Sequence, residues 1–315
     1  MPRQYRTLVW LGAINVAMLI TVTARADPAS CKVVKMGQPS WTDIRVTDAL
    51  AGTVLDAIGY HQKIEHLAVP IIYQALKNQQ IDVFQGNWMP AQKHFVKSYQ
   101  GGFERLGTNL SGAKFTLAVP EYVAAAGVHN ISDLNKHAAK FDHKIYGIGP
   151  GAPADQNIRK MIAANADGLK GWKLVASSEV GMLSEVSRDV ARHRWIAFLA
   201  WEPNPMNVRY HITYLKGGAA YFGPHYGQAT VYTLGRPGFS RQCPNLAHLF
   251  GQLKFNVAME NLMMVPVAKG KVSAKHEAVD YLKQHPQLLQ SWLKGVKTAS
   301  GQKALPAAEQ ALGIK

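Results

Sequence analysis

Apolar and polar positions along this chain switch repeatedly between two periods. "CKVVKMG" at 31–37 is a short apolar run and predicts a strand. Behind it Ile44, Val46, Ala49, Leu50, Val54, Leu55 and Ile58 recur at helical spacing, which predicts a helix over 42–58. "KIEHLAV" at 63–69 predicts a second strand, and Pro70 then opens a helix to about Lys77, because proline's fixed φ and missing N–H suit a first helical turn. "IDVFQGNW" at 81–88 is the third strand. Strands alternating with helices predict parallel α/β architecture.

A second series of the same plan begins at "AKFTLAVP", 113–120. It continues with a short helix in "ISDLNKHAAKF", a strand in "HKIYGIG", a helix in "ADQNIRKMIAANA", a strand in "WKLVAS", a helix in "EVGMLSEVSRDVARH" and a strand in "RWIAFLAWEP". After "ITYLKGG" comes one more apolar stretch, "QATVYTL", and from Pro244 onward the pattern is mostly helical.

The first residues follow neither period. Arg3 and Arg6 precede an apolar run from Leu8 to about Val22, and Ala24-Arg25-Ala26 has the small-residue spacing of a cleavage site. The run is interrupted by Asn15 and is shorter than the roughly 20 residues a membrane span needs. Residues 1–26 therefore predict a secretory leader removed after Ala26, and export changes the meaning of the two cysteines. In an oxidising compartment an even pair, Cys31 and Cys243, is expected to be bridged, which puts the start of the exported chain in the same body as the segment near 243.

The expected layout is thus a leader at 1–26, a first lobe over 27–114, a second lobe over 115–210, and a return to the first lobe with C-terminal helices over 211–315. The chain would cross between lobes near 111–115 and 205–212, leaving a cleft. Functional residues are expected on the loops that follow strands around it.

Composition narrows the function classes. With 47% hydrophobic and 17% charged residues the chain has enough apolar material for a substantial core. The formal charge is +15, three of it in the leader, but the Lys and Arg residues are scattered without a basic run or a basic-aromatic motif, which argues against nucleic acid as a partner.

Aromatic residues recur where strands end: Trp41 before Thr42-Asp43, Trp88 in "GNWMP", Phe115 at the start of the second series, and Trp201 before Glu202-Pro203. Trp172, Trp195 and Trp292 lack this placement and are assigned to core or surface. Several electron-rich faces around one cavity suit a diffuse cation without hydrogen-bond donors, a quaternary ammonium group, each contact being worth about 0.5–2 kcal/mol when desolvated. Asp43 supplies a carboxylate to offset the charge or to accept from a ligand hydroxyl.

The strings "PSWTDI", "GNWMP", "KIYGIGPGAP", "FLAWEPNPMN", "YLKGG", "YFGPHYG", "CPNL" and "MEN" resemble the choline-binding members of the glycine betaine/choline/carnitine-binding family of ABC uptake systems, from about Cys31 to the C-terminus. The resemblance implies an α/β fold of the two-lobed type II periplasmic solute-binding kind, each lobe a sheet flanked by helices with the ligand in the cleft between them. It implies a disulfide at Cys31 and Cys243, an aromatic box of Trp41, Trp88 and Trp201 around a trimethylammonium group, and Asp43 as polar contact. The family's fourth wall is a Tyr in "AKYTL", which is Phe115 here. Its Asn after "PG" is Ala152 here, leaving Asp43 and backbone amides near Gly151 for the ligand's polar end. The implied protein is a monomeric periplasmic receptor without cofactor or metal, not an enzyme. It would hand choline to a membrane permease, with glycine betaine, carnitine or another quaternary amine as the alternative ligand.

Other classes are weaker. "SGAK" at 111–114 matches the S-x-x-K of a secreted serine enzyme, but that motif needs Ser at a helix start and this stretch alternates like a strand. The twelve histidines form no H-E-x-x-H pair, and "GIGPGAP" lacks the spacing of a dinucleotide fingerprint. An adhesive or structural module would need an exposed sticky patch, which a sequence does not reveal.

Overall fold

The computed structural model describes residues 26–314. The expected leader, apart from Ala26, lies outside the described residues. In chain order the strands are β1 Val33–Gln38, β2 His61–His66, β3 Val83–Met89, β4 Glu104–Pro120, β5 Lys144–Gly147, β6 Lys173–Ala176, β7 Ala197–Glu202, β8 Ile212–Tyr214 and β9 Gln228–Gly235. The longer helices are α1 Thr42–Ala57, α2 Val69–Lys77, α3 Pro153–Ala163, α4 Glu179–Ala191, α5 Pro244–Gln252, α6 Val257–Ala268, α7 Ala274–Gln284 and α8 Ala304–Leu312. None is long and apolar enough to cross a membrane.

The strands form one curled mixed sheet in the order β2-β1-β3-β9-β4-β7-β5-β6, with β8 on β4. Both ends are parallel (β1 with β2 and β3; β5 with β6 and β7), as the alternation of strand and helix requires, since a parallel pair needs a crossover between its strands. The centre is antiparallel. The 17-residue strand β4 pairs with β9 over Glu104 to Lys114 and with β7 over Lys114 to Ala118, so one strand runs through both halves. Its first part, "ERLGTNLSG", escapes the alternation rule because the register against β9 shifts at Arg105/Gly107, Thr108/Leu110 and Ser111/Ala113, and each shift moves side chains off their period.

Two large cores flank this centre. One gathers Leu117, Phe198, Trp201, Met206, Leu215 and Phe222; the other combines the chain start (Cys31 to Val83) with the C-terminal helices (Phe239 to Ala308). A smaller cluster under α2 holds Tyr73, Phe84 and Phe95. The chain rejoins the first strands later than the expected boundary at 211: Ile212–Tyr214 is still β8 on β4, Leu215 and Phe222 are buried with β5 and β7, and the return is made by β9, which pairs with β3 from Thr230 onward.

Cys31 and Cys243 are disulfide-bonded with Cα atoms 5.9 Å apart, both buried in the core that unites chain start and C-terminus. Beside the bridge, Asp27 accepts from the Asn245 and Leu246 amides at 2.9 and 3.0 Å, satisfying donors that the first turn of α5 leaves unpaired. The bridge closes a loop of 212 residues, for which chain-entropy arguments give roughly 5 kcal/mol. Reduction, or a Cys31→Ser/Cys243→Ser variant, is expected to lower the urea midpoint markedly; equal midpoints with and without reductant would show that the bridge contributes nothing.

Candidate functional site

The aromatic residues at the strand ends converge. Trp41 is the N-cap of α1, in extended backbone, and it lines the same cavity as the other three rings. Trp88 stands near the end of β3 and Trp201 near the end of β7; each is followed by one residue and a cis proline, Met89-Pro90 and Glu202-Pro203. Phe115 on β4 is the direct antiparallel partner of Trp201, so the two rings share one face of the sheet. Trp88 meets Phe115 edge to face at 6.5 Å and 87°, and Phe222 closes the far side of Phe115 at 5.6 Å. Backbone approach here is so close that a Cβ on Gly227 would collide with the Phe115 carbonyl, which accounts for the second glycine of "YFGPHYG".

Trp41, Asp43, Trp88, Phe115 and Trp201 line one cavity whose walls are almost wholly apolar. The remaining wall is Ala91, Gln92, Ile148, Pro153, Ala154 and Leu199. Of these the sequence reading missed all six. Leu199 carried a signal, being two residues before Trp201 on the same face of β7, and Gln92 closely follows "WMP". Gln92 is held rigidly: it accepts from the Tyr73 hydroxyl at 2.9 Å and donates to the Gly86 carbonyl at 2.6 Å, while Asn87 donates to Tyr73 at 2.7 Å.

Gly151 and Ala152 are not brought to this cavity. They border an adjoining one, shared with Pro39, Ser40, His66 and Leu67 and continuous with the first at Trp41 and Ile148. The reason is local: α3 starts at Pro153, so its first turn faces the rings while the preceding loop turns aside. Nor are the neighbouring amides free. Asp155 accepts from Ile148 and Gly149 at 3.0 and 3.1 Å, and the Ala152 amide donates to the Gly149 carbonyl.

One wall is acidic. Asp43, in the first turn of α1, is 1% exposed, and its Oδ1 has no hydrogen-bond partner. Burial, and secondarily the nearby Glu179 charge, push its carboxyl up to about 8, against the pull of the Ile44 and Asp43 amides and the Trp88 side chain. Glu260 on α6, 2% exposed, is pushed well up by burial and by Asp43 itself. Glu179, also 2% exposed, is raised by burial despite donors from Thr42 and Asn204. Asp43 is thus the one carboxyl group on the ring-lined cavity, with Glu179 and Glu260 buried near it, an arrangement that favours a cation over a second anion.

Ser111 and Lys114 lie within β4, with Ser111 exposed and Lys114 paired to Glu202 at 2.8 Å, so the S-x-x-K string has neither the helix start nor the free amine its chemistry needs.

Comparison with known proteins follows the same lines. A family model described as the substrate-binding domain of an ABC-type glycine betaine transport system matches residues 32–284. A solved ABC-transporter choline-binding protein in complex with choline superposes with a TM-score of 0.89 at 41% identity, covering 91% of this chain and 100% of that one. An ABC-transporter choline-binding protein in an unliganded, semi-closed conformation gives a TM-score of 0.83 at 41% identity, over 90% of this chain and all of that one. Uncharacterized protein ORF1 of Chromohalobacter salexigens is 46% identical over 143 residues, 45% of this chain and 91% of that protein.

Proposed function

Since this chain belongs to the family of substrate-binding domains of ABC-type glycine betaine transport systems, we propose that it is the periplasmic choline receptor of such an importer. In this reading its leader is removed after Ala26, and it acts as a monomer that delivers its ligand to an inner-membrane permease without catalysing any reaction. The observation that carries the choline reading is the convergence of Trp41, Trp88, Phe115 and Trp201 with Asp43 on one apolar cavity. Trp41 and Trp88 come from the half of the sheet holding β1 and β3, Phe115 and Trp201 from the β4–β7 pair, so a box is complete only when the halves close on each other. Several desolvated cation–π contacts of about 0.5–2 kcal/mol each would supply a large part of the roughly 8 kcal/mol of micromolar binding.

Choline is favoured over glycine betaine because the ligand's polar end must sit among groups that dislike another anion. A hydroxyl can donate to Asp43, whereas a carboxylate would face Asp43 with Glu179 and Glu260 buried near it. Calorimetric titration with choline, acetylcholine, glycine betaine and carnitine tests the assignment. Choline is expected to bind most tightly, at least tenfold better than glycine betaine, and at 100 times its dissociation constant to stabilise the protein by about 2.7 kcal/mol. Heat from none of the four would reject the function; tightest binding of glycine betaine would reject the acidic wall as the selective element.

A further inference from the structure

Glu179 opens α4 but does not line the cavity; its carboxylate instead reaches the opposite lobe. One oxygen accepts from the Thr42 amide at 2.8 Å and from the Thr42 hydroxyl at 3.2 Å; the other accepts from Asn204 Nδ2 at 2.7 Å. Asn204 is fully buried and fixed in turn, its Oδ1 accepting from the Met206 amide at 3.0 Å. Thr42 stands between Trp41 and Asp43, and Asn204 stands three residues after Trp201. One carboxylate thus holds the segments that carry two facing indoles and the buried acid.

The bond to Thr42 joins bodies that otherwise have separate cores. Val46 and Leu50 of α1 belong to the core formed by chain start and C-terminus, while Met182 and Val186 of α4 belong to the core around β5 and β7. As the first residue of α1, Thr42 has an amide with no acceptor inside its own helix, so in an open molecule that N–H is left to water. The overall geometry is nearer to the choline-bound relative than to the semi-closed unliganded one, TM-scores 0.89 and 0.83, consistent with these bonds belonging to the closed form.

We propose that Glu179, held by Asn204, is the clasp of the closed state, a positioning residue that captures the free amide of Thr42 and thereby sets Trp41 and Asp43 against Trp201. The inference rests on the proposed ligand-driven closure but makes a separate statement about which bond holds it. Charge and burial select the partners: a buried carboxylate needs donors, and the orphan amide of a helix start needs an acceptor.

Glu179→Gln replaces one acceptor by an NH₂ group facing a donor, so the clasp cannot form on both sides. Choline binding should weaken at least tenfold, through faster dissociation, while the melting midpoint of the ligand-free protein stays within about 1 °C, because the lost bonds are absent from the open form. In choline-saturated protein the Thr42 amide should exchange slowly in the wild type and quickly in Glu179→Gln, with amides deeper in α1 unchanged. Adding Asn204→Asp to Glu179→Gln restores donor-to-acceptor pairing and should recover most of the affinity. Unchanged dissociation and unchanged Thr42 exchange in Glu179→Gln would overturn the clasp, as would a ligand-free midpoint that falls as far as the liganded one. A wild type that binds none of the four amines would instead reject the proposed function. With no ligand to drive closure the clasp falls with it, whereas choline binding with unchanged dissociation in Glu179→Gln would remove the clasp alone.

Discussion

Replacing Trp201 by alanine is expected to weaken choline binding tenfold or more, and Trp88→Ala to do the same. Both indoles are nearly buried in the cavity wall, 6% and 5% exposed, so each loses a desolvated cation–π contact of about 0.5–2 kcal/mol as well as the apolar surface that keeps water from the cation. Since 1.4 kcal/mol is a factor of ten, the lost contact and the lost apolar surface together reach the stated effect. Trp292 is the control. It is 1% exposed and packs edge to face on Phe255 at 5.8 Å in the core of the C-terminal helices. Trp292→Ala should therefore cost about 3–5 kcal/mol of stability while leaving the dissociation constant of the folded protein within about threefold. Titration calorimetry paired with urea unfolding separates the two quantities. Equal loss of affinity in all three variants would mean that general destabilisation, not ring contact, governs binding.

Choline affinity should also fall steeply as pH drops below about 8. Asp43 is held near that value by burial and by the Glu179 charge, and a cation binds best beside the ionised carboxylate. Binding therefore displaces a proton, and below pH 8 affinity should decline by up to tenfold per pH unit, with proton release visible as heats that depend on the buffer's own ionisation enthalpy. Glu260 faces Asp43 from α6 and Glu179 from α4; both are themselves raised, so ionising either opposes ionising Asp43 and broadens the slope. Asp43→Asn should flatten the profile and lose most of the affinity. Its effect on the ligand-free protein has the opposite sign. A carboxyl raised from 3.8 to about 8 on folding contributes fully below pH 3.8, and that contribution is lost as pH rises to about 8. At neutral pH and above, Asp43→Asn should accordingly be the more stable protein when no ligand is present. A pH-independent dissociation constant in the wild type between pH 6 and 9 would rule out this account of the acid wall.

Which features could be read in advance follows from how far each interaction reaches along the chain. The parallel ends of the sheet were legible because strand, helix and strand follow one another, and burial on one side imposes its period on consecutive residues. The disulfide was legible because two cysteines in an exported chain leave one pairing. Trp41, Trp88, Phe115 and Trp201 stood out by their positions at strand ends, although only the register of β4 against β7 and the edge-to-face meeting of Trp88 with Phe115 put them on one cavity. The first half of β4 was hidden because its register shifts destroy alternation, and the late return of the chain at β9 was hidden because β8 and Phe222 pack by contacts far away in sequence.

Ala152 and Gly151 show the limit most plainly. The family resemblance put them at the ligand's polar end, yet the starting point of α3 turns them into the neighbouring cavity, and the adjacent amides go to Asp155 and Gly149. Glu179 is the converse: 137 residues from Thr42, on an amphipathic helix where an acid in the first turn is ordinary, it gave no sign of reaching the other lobe. By itself the sequence determined the α/β alternation, the single possible disulfide, and a set of aromatic side chains able to face a cation, all properties carried by near neighbours and residue type. Only the tertiary structure decided which rings meet, that Glu179 and Glu260 are buried near Asp43, and which amide the Glu179 carboxylate holds, because those depend on distances between segments that local periodicity does not encode.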